Sequence, residues 1–214
     1  MKLYSYWRSS SAYRVRIALE LKGLRYEIVP VHLVRDGGEQ HGPGFAAQNP
    51  MQQVPVLEVE DGGTSLRLTQ SIAIVEYLDE RFPQPPLLPA APQSRARARE
   101  LAEIVNAGIQ PFQNLSTLAR LTPSLDGRAF ARDFNERGLG ALETLAATTA
   151  GKFLVGDDIS VADVFLVPQL YAARRFGVKL DPFTTLLRVE AALLPLPAFE
   201  AAHPDRQPDA ERGS

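Results

Sequence analysis

Five prolines fall within ten residues, at Pro83, Pro85, Pro86, Pro89 and Pro92, and the chain changes character across them. Proline fixes φ and has no amide proton, so such a stretch belongs to neither a helix interior nor a central strand. It reads as a semi-rigid linker. Strand-like and helix-like patterns alternate before it, and only the helical period appears after it. The expected organisation is therefore residues 1–82, a linker over 83–94, and residues 95–214.

In the first part, residues 2–6 alternate and are rich in aromatics, which predicts a strand. A polar turn, Trp7-Arg8-Ser9-Ser10-Ser11, leads into a helix over 12–22. Val15, Ala18 and Leu19 share its inner face, with Arg14, Arg16 and Glu20 elsewhere. Gly23 stops the helix, and Tyr26–Val31 is a second strand, giving a β-α-β unit with parallel strands. After a glycine-rich stretch over 35–44, a third strand runs over 54–59. Asp61-Gly62-Gly63 turns the chain into a fourth over 65–68, antiparallel to the third. A helix follows over 70–82, with Ile74, Leu78 and Phe82 at four-residue spacing. This order predicts an α/β thioredoxin-like domain. The second part has helical stretches over 95–121, 128–149 and 160–176, which predicts an all-α domain. Ser160 and Asp163 have the spacing of a capping box, with Asp in place of Glu. Residues 204–214 are polar and expected to be loose.

Composition removes several kinds of chemistry. The 214 residues include no cysteine, so disulfides, thiolate metal sites and a cysteine nucleophile are excluded, and any thiol must come from outside. His32, His41 and His203 are far apart and in no ligating pattern, so no metal site is expected. A formal net charge of -2 shows no basic excess that would point to nucleic acid. No apolar leader or membrane-length apolar run is present, and a cytoplasmic protein with no membrane partner is the expectation.

Three segments are candidates for chemistry. The first is the start of the first helix, where unpaired N–H groups and the helix dipole favour an anion such as a thiolate or carboxylate. Ser9, Ser10 and Ser11 stand there, and serine is also an ordinary N-cap. The second is Gln53-Val54-Pro55. A proline there marks an edge or a cis peptide, which would leave Val54 to pair with an extended ligand. The third is Gln70-Ser71, again a hydroxyl at a helix start.

Together, in this order, these segments resemble the zeta class of glutathione transferases, which contains maleylacetoacetate isomerase. Residues 4–19 resemble that class's Ser-Ser-Cys-Ser-Trp-Arg-Val-Arg-Ile-Ala-Leu signature. Asn49-Pro50 with Gln53-Val54-Pro55, and Gln70-Ser71-Ile72-Ala73-Ile74, resemble two more of its motifs. So do Ile109-Gln110-Pro111, Gln113-Asn114-Leu115-Ser116, Leu166-Val167-Pro168-Gln169, Arg175-Phe176, His203-Pro204 and Gln207-Pro208-Asp209. The likeness runs over nearly the whole chain.

The resemblance implies the glutathione transferase fold, a homodimer, and glutathione as cofactor. It implies that Ser9 hydrogen-bonds the glutathione sulfur, with Ser10 assisting and Ser11 standing where the class often has cysteine. Val54, before Pro55, would pair with the cysteinyl backbone, and Gln70 and Ser71 would hold the γ-glutamyl end. Gln40, Gln110, Asn114, Leu115 and Ser116 match positions lining the glutathione site. The implied reaction is cis–trans isomerisation of a small diacid, maleylacetoacetate, in tyrosine and phenylalanine breakdown. Arg8 and Arg175 are candidates for its two carboxylates, because guanidinium suits them. Maleylpyruvate isomerisation, general conjugation or dehalogenation, and a non-catalytic binding protein are the alternatives. The last predicts a missing sulfur-contacting hydroxyl or a blocked glutathione groove, whereas Ser9, Gln70 and Ser71 are all present. Tyr13 also departs from the class, which often has tryptophan there.

Overall fold

The computed structural model describes residues 1–211 and divides the chain into two compact units. The first comprises Met1–Pro85 together with the stretch from Pro197 onward; the second is Pro86–Leu196.

The first unit is a four-stranded mixed sheet in the order β2-β1-β3-β4. β1 (Lys2–Ser5) and β2 (Glu27–Pro30) are parallel and joined by α1 (Ser10–Leu21). β3 (Val56–Asp61) runs antiparallel to β1 and forms a hairpin with β4 (Thr64–Thr69). A single-turn helix, α2 (Pro43–Ala46), lies before β3, and α3 (Ser71–Arg81) follows β4. This is the thioredoxin-like arrangement that the alternation of periods predicts.

Helix α1 departs from its expected amphipathic pattern. Every residue from Ala12 to Leu19 is buried, including Arg14 and Arg16 at 0% exposure. A buried guanidinium is tolerated only when hydrogen-bonded, and both are. Arg14 Nη1 donates to Ser71 Oγ at 3.1 Å. Arg16 donates from Nε to the Ala202 carbonyl (3.0 Å), from Nη1 to Ser5 Oγ (3.1 Å) and from Nη2 to the Trp7 carbonyl (3.0 Å).

The stretch expected to be loose is instead tied down within the first unit. α10 (Pro197–Ala202) packs on α1. Beyond it, Gln207 Nε2 donates to the Ala201 and His203 carbonyls, Ala210 packs against the aromatic cluster beside β1, and Glu211 pairs with His32 at 2.9 Å. Residues 212–214 lie outside the described residues. The proline stretch is anchored too. Lys22 Nζ, paired with Asp79, also donates to the Pro85 carbonyl. In the second unit, the Leu87 carbonyl accepts from Val161 N at 2.7 Å.

The second unit is helical: α4 (Pro92–Glu103), a π-helical turn (Ile104–Ile109), α5 (Gln110–Gln113), α6 (Leu115–Leu118), α7 (Gly127–Ala146), α8 (Val161–Phe176) and α9 (Thr184–Leu193). The helix expected over 95–121 is thus broken into four pieces. Gly138 in α7 lets the π turn approach closely, since a Cβ there would collide with the Ile109 side chain. α8 is the core helix, buried from Val161 to Leu170. Its expected capping box is present. Asp163 Oδ2 accepts from Ser160 N (2.8 Å) and Ser160 Oγ (3.0 Å), and Oδ1 accepts from Leu154 N (2.9 Å). Three buried amides form a closed network: Asn135 Nδ2 donates to Gln113 Oε1 (2.8 Å) and Gln169 Nε2 to Asn135 Oδ1 (2.6 Å), with Gln113 and Gln169 also bonded to each other. Among the described residues, no helix is long and apolar enough to cross a membrane.

Candidate functional site

Sheet register brings the three candidate segments of the first unit together. Tyr4 is opposite Val56, and Val56 is opposite Thr69, so these residues form one row across β1, β3 and β4. The row lies at the end where β1 and β4 finish and β3 begins. Trp7–Ser11, Gln53–Pro55 and Gln70–Ser71 therefore leave the sheet at the same end. β2, parallel to β1, also finishes there and leads toward Gln40.

Ser9 is the N-cap of α1: its backbone is extended, and its Oγ accepts from Ala12 N at 3.2 Å. The ordinary cap reading is thus correct for this serine. With a lone pair of Oγ engaged by the helix, the hydroxyl proton is left to donate outward. No acidic residue occupies the first turn, so nothing within the helix cancels the dipole there. Ser10 and Ser11 follow in the first turn and, like Ser9, are half-buried.

Trp7, on the turn leading to Ser9, is held through both of its backbone groups. Its carbonyl accepts from Arg16 Nη2, and its N–H donates to Asp209 Oδ2 at 2.9 Å. The Ser9 N–H donates to the Tyr6 carbonyl at 2.9 Å, closing the turn. Arg8 packs its guanidinium over the Trp7 ring at 4.8 Å, with Nη2 3.5 Å from the Tyr6 hydroxyl. Tyr6, Trp7, Val31, Phe45, Val54 and Val56 form one buried cluster, which joins the serine turn to the Val54 segment.

The Val54–Pro55 peptide is cis, and β3 begins after Pro55 rather than before it. No hydrogen bond of the Val54 backbone is found among the described residues. Asn49, 2% exposed, fixes the preceding loop: Nδ2 donates to the Gln53 carbonyl at 2.6 Å, and Oδ1 accepts from Met51 N. Gln70 adopts φ 68°, ψ 114°, a region a non-glycine residue occupies only under strain, and such strain concentrates at ligand-binding positions. Ser71 is buried, with Oγ accepting from Arg14. Gln40 is also buried. Its Nε2 donates to the Leu33 carbonyl at 3.3 Å, while its Oε1 has no partner among the described residues.

The remaining candidates belong to the second unit. Gln110 opens α5. Asn114 caps α6, with Oδ1 accepting from Ser116 N and Ser116 Oγ, both at 3.0 Å; Leu115 is exposed. Arg175 is exposed in the last turn of α8, and its carbonyl accepts from Arg128 Nη2 at 3.0 Å. Its neighbour Arg174 is committed to Glu190 through two bonds of 2.6 and 2.5 Å.

Sequence reasoning gave no role to Arg14, Arg16, Asn49 or Asp209. An arginine in a helix looks solvated until its burial is known. Asn49 and Asp209 lie within recognised motifs, and that was the available signal.

The chain belongs to the glutathione transferase family, in its zeta class. Residues 1–80 match the family model for the glutathione S-transferase N-terminal domain. Maleylacetoacetate isomerase of Rattus norvegicus is 48% identical over 207 residues, covering 97% of this chain and 94% of the relative. A maleylacetoacetate isomerase from Anaeromyxobacter dehalogenans 2CP-1, solved with glutathione in the active site, is 54% identical. It has a TM-score of 0.90 and covers 98% of this chain and 97% of that one. Another structure of that isomerase holds dicarboxyethyl glutathione and citrate in the active site. A maleylpyruvate isomerase described as a bacterial zeta-class glutathione transferase is 42% identical, with a TM-score of 0.92 and coverage of 99% and 100%.

Proposed function

We propose that this chain is a glutathione-dependent cis–trans isomerase that converts maleylacetoacetate to fumarylacetoacetate. The carrying observation is Ser9: a capped hydroxyl with its proton left to donate, at a helix start without an acidic residue, in a zeta-class chain. The residues present fit glutathione. The Val54 backbone has no partner among the described residues, and Gln40 Oε1 is a buried acceptor without one. Bound glutathione supplies a thiolate that adds to the cis double bond, allows rotation and leaves again, so it is not consumed.

Ser9 holds that sulfur anionic. A free thiol near pKa 8.5 is about 3% ionised at neutral pH, and a shift of about two units needs roughly 2.7 kcal/mol. One hydrogen bond to a charged group gives about 1.5–3 kcal/mol, and the helix start adds about 0.3–1 kcal/mol. Ser10 and Ser11 assist in the first turn. Val54, beside Pro55, pairs with the peptide backbone, and Gln70 and Ser71 hold the γ-glutamyl end. Arg14 sets the direction of the Ser71 hydroxyl by donating to it. Gln110, Asn114, Leu115 and Ser116 complete the glutathione contacts. Arg8 and Arg175 receive the substrate carboxylates. The same reading places the enzyme in the cytoplasm as a homodimer, in aromatic amino acid breakdown.

Maleylpyruvate is the second substrate to consider, because a maleylpyruvate isomerase is among the similar structures at 42% identity. Purified protein assayed on each diacid, with and without glutathione, separates the two. Glutathione-dependent turnover with the higher kcat/KM on maleylacetoacetate supports the proposal; no turnover of that substrate beside brisk turnover of maleylpyruvate reverses it.

A further inference from the structure

We infer that Asp209, some 200 residues from Ser9, is a positioning residue for the sulfur site, acting through the Tyr6–Trp7 peptide. The inference rests on the proposed role of Ser9.

After β1 ends at Ser5, the chain must turn before α1 can begin, and Trp7 has no strand neighbour. The two peptides that flank it are held by side chains instead: the Tyr6–Trp7 peptide through its N–H by Asp209 Oδ2, and the Trp7–Arg8 peptide through its C=O by Arg16 Nη2. Arg16 also holds the Ala202 carbonyl through Nε, so both restraints lead to the C-terminal segment. The Ser9 N–H closes back onto the Tyr6 carbonyl across Trp7 and Arg8. That carbonyl shares one peptide with the Trp7 N–H that Asp209 holds, so a rotation of the Tyr6–Trp7 peptide carries Ser9 with it. A donor aimed at a thiolate loses much of its value when displaced by a fraction of an ångström.

A purely structural strap explains Asp209 less well. The segment has other anchors in Gln207, Ala210 and the Glu211–His32 pair. Asp209 Oδ1 is buried with no partner among the described residues. A half-satisfied carboxylate is a cost that neither packing nor anchoring requires. Its negative charge would, if anything, disfavour a thiolate nearby. The useful feature is the acceptor on the Trp7 N–H, and a neutral amide supplies that equally well.

The test compares D209A, D209N, D209E and S9A by the pKa of the bound glutathione thiol, read from ultraviolet thiolate absorbance. Trp7 is the only tryptophan in the chain, so 15N-tryptophan labelling gives one backbone amide signal that reports the bond directly. In D209A the Trp7 amide signal moves, the bound thiol pKa rises by about one unit, a tenfold loss of thiolate well below that pKa, and KM for the diacid stays within about twofold. D209N restores the thiol pKa, and D209E, with its acceptor displaced, does not. A wild-type thiol pKa in folded D209A overturns the inference, as does a D209N as impaired as D209A. Should D209A fail to fold, D209E and D209N decide alone, and equal thiol pKa values in both overturn it. S9A separates the two claims: if S9A leaves the thiol pKa unchanged, the Ser9 reading itself fails. If S9A raises it and the Asp209 variants do not, only the positioning role fails.

Discussion

Two helix starts among the described residues are capped by serine, and they differ in what surrounds the cap. At α8, Ser160 is 1% exposed, and Asp163 in the first turn accepts from Ser160 N, Ser160 Oγ and Leu154 N. The dipole meets its own carboxylate, and the donors around that carboxylate are used. At α1, Ser9 is half-buried, the first turn has no acidic residue, and the hydroxyl proton remains to donate. The first start is closed and stabilises the fold. The second has no such carboxylate, and the proposed function has it receive an anion from outside. Serine at a helix start does not identify a site; what decides is whether the chain also supplies the anion.

The comparison predicts opposite outcomes for equivalent damage. Asp163→Ala strands three buried donors, and we expect a loss of about 3 kcal/mol, or roughly 6–12 °C in Tm, read by calorimetry. A change under 2 °C would remove the distinction from the closed start. Ser9→Ala costs about 1 kcal/mol as a lost cap but about 10–100-fold in kcat, from the 1.5–3 kcal/mol bond to the thiolate. Ser160→Ala lowers Tm and leaves kcat alone. Arg175→Ala raises KM for the diacid about fivefold, as suits an exposed charge worth about 1 kcal/mol, without changing glutathione affinity by calorimetric titration. Equal kinetics would take Arg175 out of the site.

The smallest effect is on pH dependence. Burial pushes the Asp163 carboxyl up to about 6, against the opposing pull of its hydrogen-bond donors. The folded protein then keeps a proton that the unfolded chain releases nearer the ordinary carboxylate value. This contribution to stability is present in acid and is lost as pH rises from about 4 to about 6, at up to about 1.4 kcal/mol per pH unit. A 13C titration of that carboxyl should show a midpoint near 6, and a midpoint below 4 would contradict this account.

The legible part of the molecule is what local pattern determines. Alternation and helical period marked the elements on both sides of the prolines. Helix-start chemistry picked out Ser9, Ser71 and the Ser160–Asp163 pair. What escaped depended on long-range partners. Arg14 and Arg16 look like solvated charges along α1, and only the Ser71 hydroxyl and the Ala202 carbonyl explain why they are inside. Ala202 and Asp209 return to the first unit from the far end of the chain, which no periodicity reveals. The close approach at Gly138 breaks no sequence rule, yet it accompanies a π turn inside a predicted continuous helix.

The most direct measurement is the rate of maleylacetoacetate isomerisation by the wild-type protein and by Ser9→Ala, each with and without glutathione and each checked for glutathione binding. The account predicts turnover that requires glutathione and falls about 10–100-fold in a folded, glutathione-binding variant. A Ser9→Ala protein that isomerises at the wild-type rate, or a wild-type protein that binds glutathione and leaves the substrate cis, would contradict it.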